Sequence, residues 1–310
     1  MSKIAFLYPG QGAQEVGMAK DFYENSPEAA AVFDKASEML DLDFRKLCFE
    51  ENDLLDKTEY TQAAMVTACL AITRELEKRG LRPDMTAGLS LGEYCAIAAA
   101  GGMSNMEAVR VVRSRGIFME HAAPKGTGAM AAVLGLDSDS VEKAVEGIEG
   151  VFIANYNCPG QIVITGEAEA VEKAKGILKE AGARRVLPLN VSGPFHSPMM
   201  KPAGDALSEV LENVPLSSLK VPYVTNVTAE VVVDQSKIKE LLVKQVSSSV
   251  RWEQSIRTMI AEGADAFVEI GPGKTLSGFM KKIDRNVKMY RIGTWEEAEA
   301  VCNEILTGNK

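Results

Sequence analysis

The sequence predicts an α/β protein built on a mainly parallel sheet. Three observations carry that expectation. Short apolar runs alternate with helical stretches, glycine-bearing turns follow the first two runs, and a β-α-β-β-α-β series interrupts the alternation after residue 125. Residues 4–8 read as an apolar strand that runs into Pro9-Gly10-Gln11-Gly12, and residues 27–50 and 60–79 read as helices. A short strand at 84–87 precedes an alanine-rich helix at 93–100, which Gly101-Gly102 stops. Ser104-Asn105-Met106-Glu107 has the capping-box pattern and opens a helix reaching about His121. Beyond Pro124-Lys125-Gly126 the series is strand 130–136, helix 138–146, strands 151–156 and 161–165, helix 168–179 and strand 184–189. This is the split-βαβ order of a ferredoxin-like unit. Strand signals resume at 223–226 and 267–270, so the unit reads as an insertion. Residues 1–125 and 192–310 then form one discontinuous subdomain, and 126–191 the inserted one.

Bulk properties narrow the function. At 310 residues the chain can bury a large core, and its 46% hydrophobic and 25% charged content is that of a globular protein. A net charge of −9 argues against a general nucleic-acid binder. Five cysteines without C-x-x-C spacing indicate neither a disulfide framework nor a zinc site, and a cytoplasmic setting is the simplest expectation. The apolar run at 4–8 is too short for a signal peptide, and no run approaches the ~20 apolar residues of a membrane span. Two phosphate-loop patterns are incomplete. Gly273-Lys274-Thr275 lacks the glycine five residues earlier, where Val268 stands, and Gly10-Gln11-Gly12 would need a third glycine at Glu15.

The chemistry centres on Gly88-Leu89-Ser90-Leu91-Gly92. This G-x-S-x-G pattern stands a serine on a tight strand-to-helix turn, where small neighbours let the backbone come close. Glu93, in the first turn of the following helix, suits the positive end of the dipole. A nucleophilic serine needs a base, and the chain has two histidines. His121 ends a helix, where an imidazole complements the dipole. His196 lies in Ser192-Gly193-Pro194-Phe195-His196-Ser197-Pro198, a proline-held loop that fits either positioned proton transfer or a capping histidine. No aspartate adjoins it. Arg115 has Val111, Val112, Phe118 and Met119 as helical neighbours, so it falls in the apolar stripe, whereas Arg110 has a polar neighbourhood. Either its stem lies along the core edge, or it pairs with a buried acid, or it grips a ligand carboxylate through two hydrogen bonds. Gln11 follows the first strand between two glycines. Its loop is either a plain turn or, with the N–H of Leu91, an oxyanion hole.

Taken together, these segments resemble the malonyl-CoA:acyl carrier protein transacylase family along essentially the whole chain. The matching stretches are Pro9 to Gln14, Gly88 to Tyr94, Arg115-Gly116 with Met119, Asn155 to Gly160, Gly193 to Pro198, Gln245 with Val250 and Trp252, and Glu269 to Gly273. The resemblance implies an α/β-hydrolase-like core with an inserted ferredoxin-like subdomain. It makes Ser90 the nucleophile and His196 its base, oriented by the backbone carbonyl of Gln245. The N–H groups of Gln11 and Leu91 would hold the oxyanion, and Arg115 the malonyl carboxylate. Asn157 would lie near the pantetheine or acyl group, and Phe195 matches malonyl-type members. The implied partners are malonyl-CoA and acyl carrier protein, with no metal or other cofactor, no nucleic acid and no membrane. Leu89 departs from the family, which usually has histidine there, and Glu120 stands where glutamine is more usual. A free-standing acyltransferase of a polyketide synthase, a serine thioesterase and a carrier-binding module without turnover are the alternatives. The basic group Lys274, Lys281, Lys282, Arg285 and Lys288 fits either a solvated helix face or a landing area for an acidic carrier protein.

Overall fold

The computed structural model describes residues 2–191 and 193–308, so Ser192, where the sequence analysis begins the second segment of the larger subdomain, lies outside the described residues. Among the described residues, ten strands divide between two sheets. They are β1 (Ile4–Tyr8), β2 (Met85–Gly88), β3 (Gly128–Leu134), β4 (Val151–Cys158), β5 (Gln161–Glu167), β6 (Arg185–Pro188), β7 (Tyr223–Val224), β8 (Val231–Val232), β9 (Ala266–Ile270) and β10 (Lys288–Ile292). The larger sheet has the order β10-β9-β1-β2-β7-β8, parallel throughout except for the antiparallel β7–β8 pair. The smaller sheet, β4-β5-β3-β6, is antiparallel.

β1 shows why the large sheet forms. All five of its residues are buried, with Ile4, Phe6 and Tyr8 in one core cluster and Ala5 and Leu7 in another. A strand covered on both faces reads as an unbroken apolar run, as this one does. Each large side chain so buried contributes about 1.5–3 kcal/mol. The helix Thr58–Lys78 packs beside the sheet and against Asn105–His121, and Ala63, Ala64, Ala68 and Ala71 on it are fully buried.

The smaller sheet places Ala131, Val133, Ile162 and Ile164 against the helices Ser138–Val145 and Ala168–Glu180. Met130, Ala132, Ala154 and Val163 belong to the main core cluster instead. An isolated parallel bridge between Asn155 and Val250 joins the two parts.

Some boundaries differ from the sequence reading. The helix expected over 27–50 is two, Pro27–Leu40 and Phe44–Phe49. Asp41 turns into the left-handed region, and Asp43 caps the second helix by accepting from the N–H groups of Arg45 and Lys46. Only half of the expected capping box forms at Ser104. Its hydroxyl accepts the Glu107 N–H, while the Glu107 carboxylate turns to Arg110 instead. The reciprocal box is at Thr294 and Glu297.

Candidate active site

The parallel register sets Tyr8 opposite Gly88, so the chain leaves β1 and β2 side by side at their carboxyl ends. Ligands in open parallel sheets bind at that edge. The first exit carries Gln11 and the second carries Ser90, and the Leu89 N–H donates to the Tyr8 carbonyl at 2.9 Å. Ser90 adopts φ 55°, and the turn closes because its flanks are glycines. A Cβ on Gly88 would lie 1.9 Å from the Gly92 carbonyl, and one on Gly92 would lie 2.4 Å from the Tyr8 oxygen. Holding a non-glycine residue in that region costs about 1–3 kcal/mol.

Ser90 Oγ lies 2.8 Å from His196 Nε2, and His196 Nδ1 lies 2.9 Å from the backbone carbonyl of Gln245. A carbonyl only accepts, so Nδ1 carries the proton and Nε2 presents its lone pair to the serine. His196 is itself in the left-handed region, φ 59°, on a turn where the Ser197 hydroxyl donates to the Pro194 carbonyl at 2.7 Å. Burial, reinforced by the nearby Arg115 charge, pushes the imidazole pKa down to about 4.

Arg115 is 1% exposed. Its Nη1 donates to Gln62 Oε1 at 2.6 Å, and its Nη2 to Gln245 Oε1 at 2.9 Å and to Ser90 Oγ at 3.1 Å. Among the described residues its Nε has no hydrogen-bond partner and no carboxylate forms an ion pair with it. Burial lowers the pKa of this guanidinium, but an arginine remains charged at any physiological pH. The outcome is a buried cation held by neutral amides and directed at the serine oxygen. Glu93, also fully buried, accepts from Gln245 Nε2 at 2.7 Å, and burial raises its carboxyl to about 7.

These groups open onto a cavity of about 400 Å³ lined by Gln11, Gln62, Leu89, Ser90, Leu91, Phe195 and His196, with Met119, Met130, Leu189 and Val191 among its apolar walls. No described residue accepts a hydrogen bond from the N–H of Gln11 or of Leu91. Leu89 forms part of the wall beside Gly10. Asn157 is placed elsewhere. It is the extra residue of a bulge between the Tyr156 and Cys158 pairings, its side-chain oxygen is buried without a partner, and Asn155 lines the cavity in its stead. His121 is exposed at a helix end, apart from these groups. Among the described residues, no three His, Cys, Asp or Glu side chains are grouped to hold a metal ion.

Three contributors escaped the sequence reading. Glu93, read only for its fit to the helix dipole, has Ala96 and Ile97 one turn ahead on its helix and so passes the test that singled out Arg115, whereas Gln62 has the polar Thr58 and Glu59 one turn behind and does not. Asn226, whose Oδ1 accepts the Ser90 N–H at 2.7 Å, follows the two-residue strand β7, and no sequence signal marks it.

Comparison with known proteins is consistent with this geometry. The acyl transferase domain model matches residues 5–298. A malonyl CoA-acyl carrier protein transacylase of Bacillus subtilis is 48% identical over 314 residues, covering 100% of this chain and 99% of its own. The crystal structure of malonyl CoA-acyl carrier protein transacylase from Clostridium perfringens is 41% identical, covers 99% of this chain and 98% of its own, and superposes with a TM-score of 0.96. A type II PKS acyl-carrier protein in complex with its malonyl-transacylase has been solved, and its matching chain is 37% identical with a TM-score of 0.95, covering 98% of this chain and 100% of its own.

Proposed function

The chain belongs to the acyl transferase domain family, and from that premise we propose that it moves a malonyl group from malonyl-CoA to the phosphopantetheine thiol of acyl carrier protein, supplying fatty-acid synthesis. The observation that carries this reading is Arg115, a buried guanidinium that forms no ion pair with a carboxylate among the described residues, 3.1 Å from the Ser90 hydroxyl. A buried cation left incompletely paired is costly, and a short diacid whose reacting carbonyl sits at Ser90 supplies the missing anion. The mainly parallel larger sheet and the smaller sheet's order β6-β3-β5-β4, which is 4-1-3-2 when its strands are counted from β3, support the finer description, an α/β-hydrolase-like core carrying a ferredoxin-like subdomain. Five buried free cysteines support a cytoplasmic setting, and among the described residues no helix is long and apolar enough to cross a membrane.

The reaction proceeds in two half-reactions. His196 Nε2 takes the Ser90 proton, the alkoxide attacks the thioester carbonyl, and the oxyanion is met by the N–H groups of Gln11 and Leu91. Such a donor is worth about 3–4 kcal/mol in the transition state. The tetrahedral intermediate collapses, coenzyme A leaves with the proton held by His196, and a malonyl-serine ester remains. The carrier-protein thiol then gives its proton to His196 and attacks the ester, and Ser90 recovers its proton as it departs. Gln245 keeps the imidazole in the required tautomer through its carbonyl.

Arg115 acts on the base as well as on the substrate. In the free enzyme its charge helps to hold His196 near 4, so the imidazole stays neutral and competent well below its ordinary pKa. A malonyl carboxylate on Arg115 offsets that charge, which favours the imidazolium and raises the His196 pKa. The acid limb of the acylation rate at saturating malonyl-CoA is therefore expected at higher pH than the limb at limiting malonyl-CoA. With acetyl-CoA the two limbs should coincide. Rapid-quench acylation across pH 4 to about 8 checks this, and coincident limbs with malonyl-CoA would mean that the carboxylate does not reach Arg115.

The acceptor is tested by following both products. Holo acyl carrier protein should receive the malonyl group faster than free malonate appears, whereas dominant malonate release would favour a thioesterase. Lys274, Lys281, Lys282, Arg285 and Lys288 are all exposed and support a landing area for an acidic carrier protein. Reversing charge at Lys281 and Lys282 should raise the carrier-protein KM several-fold and leave that for malonyl-CoA unchanged. Equal carrier-protein kinetics would place docking elsewhere.

A further inference from the structure

Ser90 is held from outside its own turn. Its N–H donates to Asn226 Oδ1 at 2.7 Å, and its carbonyl accepts from Gln245 Nε2 at 2.9 Å. Asn226 Nδ2 donates in turn to the Gly88 carbonyl at 2.7 Å, so one side-chain amide bridges the elbow across the serine. A non-glycine residue stays in the left-handed region only where its surroundings over-determine it, and these bonds are those surroundings.

Both residues also meet on a single atom. Glu93 Oε2 accepts from Gln245 Nε2 at 2.7 Å and from the Asn226 backbone N–H at 3.2 Å. A carboxyl in a first helical turn suits the dipole at a surface, but Glu93 is fully buried on an alanine-rich helix, where it must be hydrogen-bonded to be tolerated. We propose, on the acyl-transfer reading of Ser90, that Asn226 and Glu93 are positioning residues for the nucleophile. Asn226 and the Gln245 side chain hold the two peptide groups of Ser90 in the turn, and the Glu93 carboxyl fixes the Gln245 side-chain amide and the Asn226 backbone. Gln245 also carries His196 on its carbonyl and Arg115 on Oε1, so the serine, its base and the guanidinium share one support. Asn226 and Glu93 are not among the residues lining the cavity, so their loss falls on the rate of serine attack and spares substrate binding.

The test measures Ser90 reactivity in two ways, as labelling by a fluorophosphonate and as malonyl-serine formation in a single turnover. Asn226→Ala and Glu93→Ala are expected to slow both at least tenfold, with the KM for malonyl-CoA within about twofold of wild type. Glu93→Gln keeps an oxygen acceptor of the same size and should stay within about threefold of wild type. Folded alanine variants that label at the wild-type rate would overturn the proposal, as would a higher KM at unchanged rate or a Glu93→Gln protein as slow as Glu93→Ala. If Asn226→Ala is not folded by near-ultraviolet circular dichroism, Asn226→Ser makes the same comparison. Its shorter acceptor should again slow labelling, and a wild-type rate would again overturn the proposal. A wild-type protein whose Ser90 labels but never takes a malonyl group would refute the acyl-transfer reading instead, and the labelling rates would still decide the positioning role.

Discussion

Ser90→Ala is expected to abolish the covalent malonyl adduct and to reduce transfer by roughly five to six orders of magnitude, the size of loss seen when a serine nucleophile is removed. The geometry gives the reason. Oγ faces both a neutral imidazole nitrogen at 2.8 Å and a guanidinium nitrogen at 3.1 Å. It can therefore lose its proton to one and be stabilised as an anion by the other. Alanine removes the bond that forms in the first half-reaction, and the remaining pocket offers no covalent route. Intact-mass spectrometry after mixing with malonyl-CoA reads the result, with no adduct on the variant and one malonyl group on wild type. An adduct of equal yield on Ser90→Ala would place the nucleophile elsewhere.

Arg115→Ala is expected to cost the malonyl substrate about 2–5 kcal/mol, roughly thirty- to several-thousand-fold in kcat/KM, because the substrate carboxylate would then be buried without its cation. Acetyl-CoA should lose far less, since it leaves the guanidinium partly unpaired in wild type and removing that cation relieves the mismatch. Arg115→Lys should recover only part of the loss. A lysine offers a point charge without the planar fork, and it cannot bond Gln62, Gln245 and the carboxylate with the same geometry. Steady-state kinetics over an acyl-CoA panel separates these outcomes. An Arg115→Ala enzyme that retains its preference for malonyl over acetyl would remove the carboxylate-binding role.

Much of this arrangement was legible in the sequence, for physical reasons that differ by residue. The mainly parallel sheet followed from apolar runs alternating with helices, and β1 is buried on both faces as its unbroken pattern requires. Ser90 was legible because its turn forces glycine on both sides. Arg115 was legible because a charge in an apolar helical stripe must find a partner. The side-chain roles of Gln245 and Asn226 were not legible. They depend on segments 155 and 136 residues away from Ser90 converging on its two peptide groups, and neither residue breaks a local pattern. Asn157 shows the converse difficulty. Alternation would put it on the same face as Asn155, but the bulge that separates them is set by pairing with β5 and by the bridge to Val250. The break at Asp41 in the helix expected over 27–50 likewise depended on a single residue entering the left-handed region.

The buried guanidinium is expected to select the acyl group that Ser90 receives. Wild-type protein given equal concentrations of malonyl-CoA and acetyl-CoA, quenched within one turnover and weighed intact, measures that selection without any carrier protein. A malonyl adduct in large excess on the Ser90 peptide is the predicted result. Equal malonyl and acetyl adducts, or an acetyl excess, would contradict it.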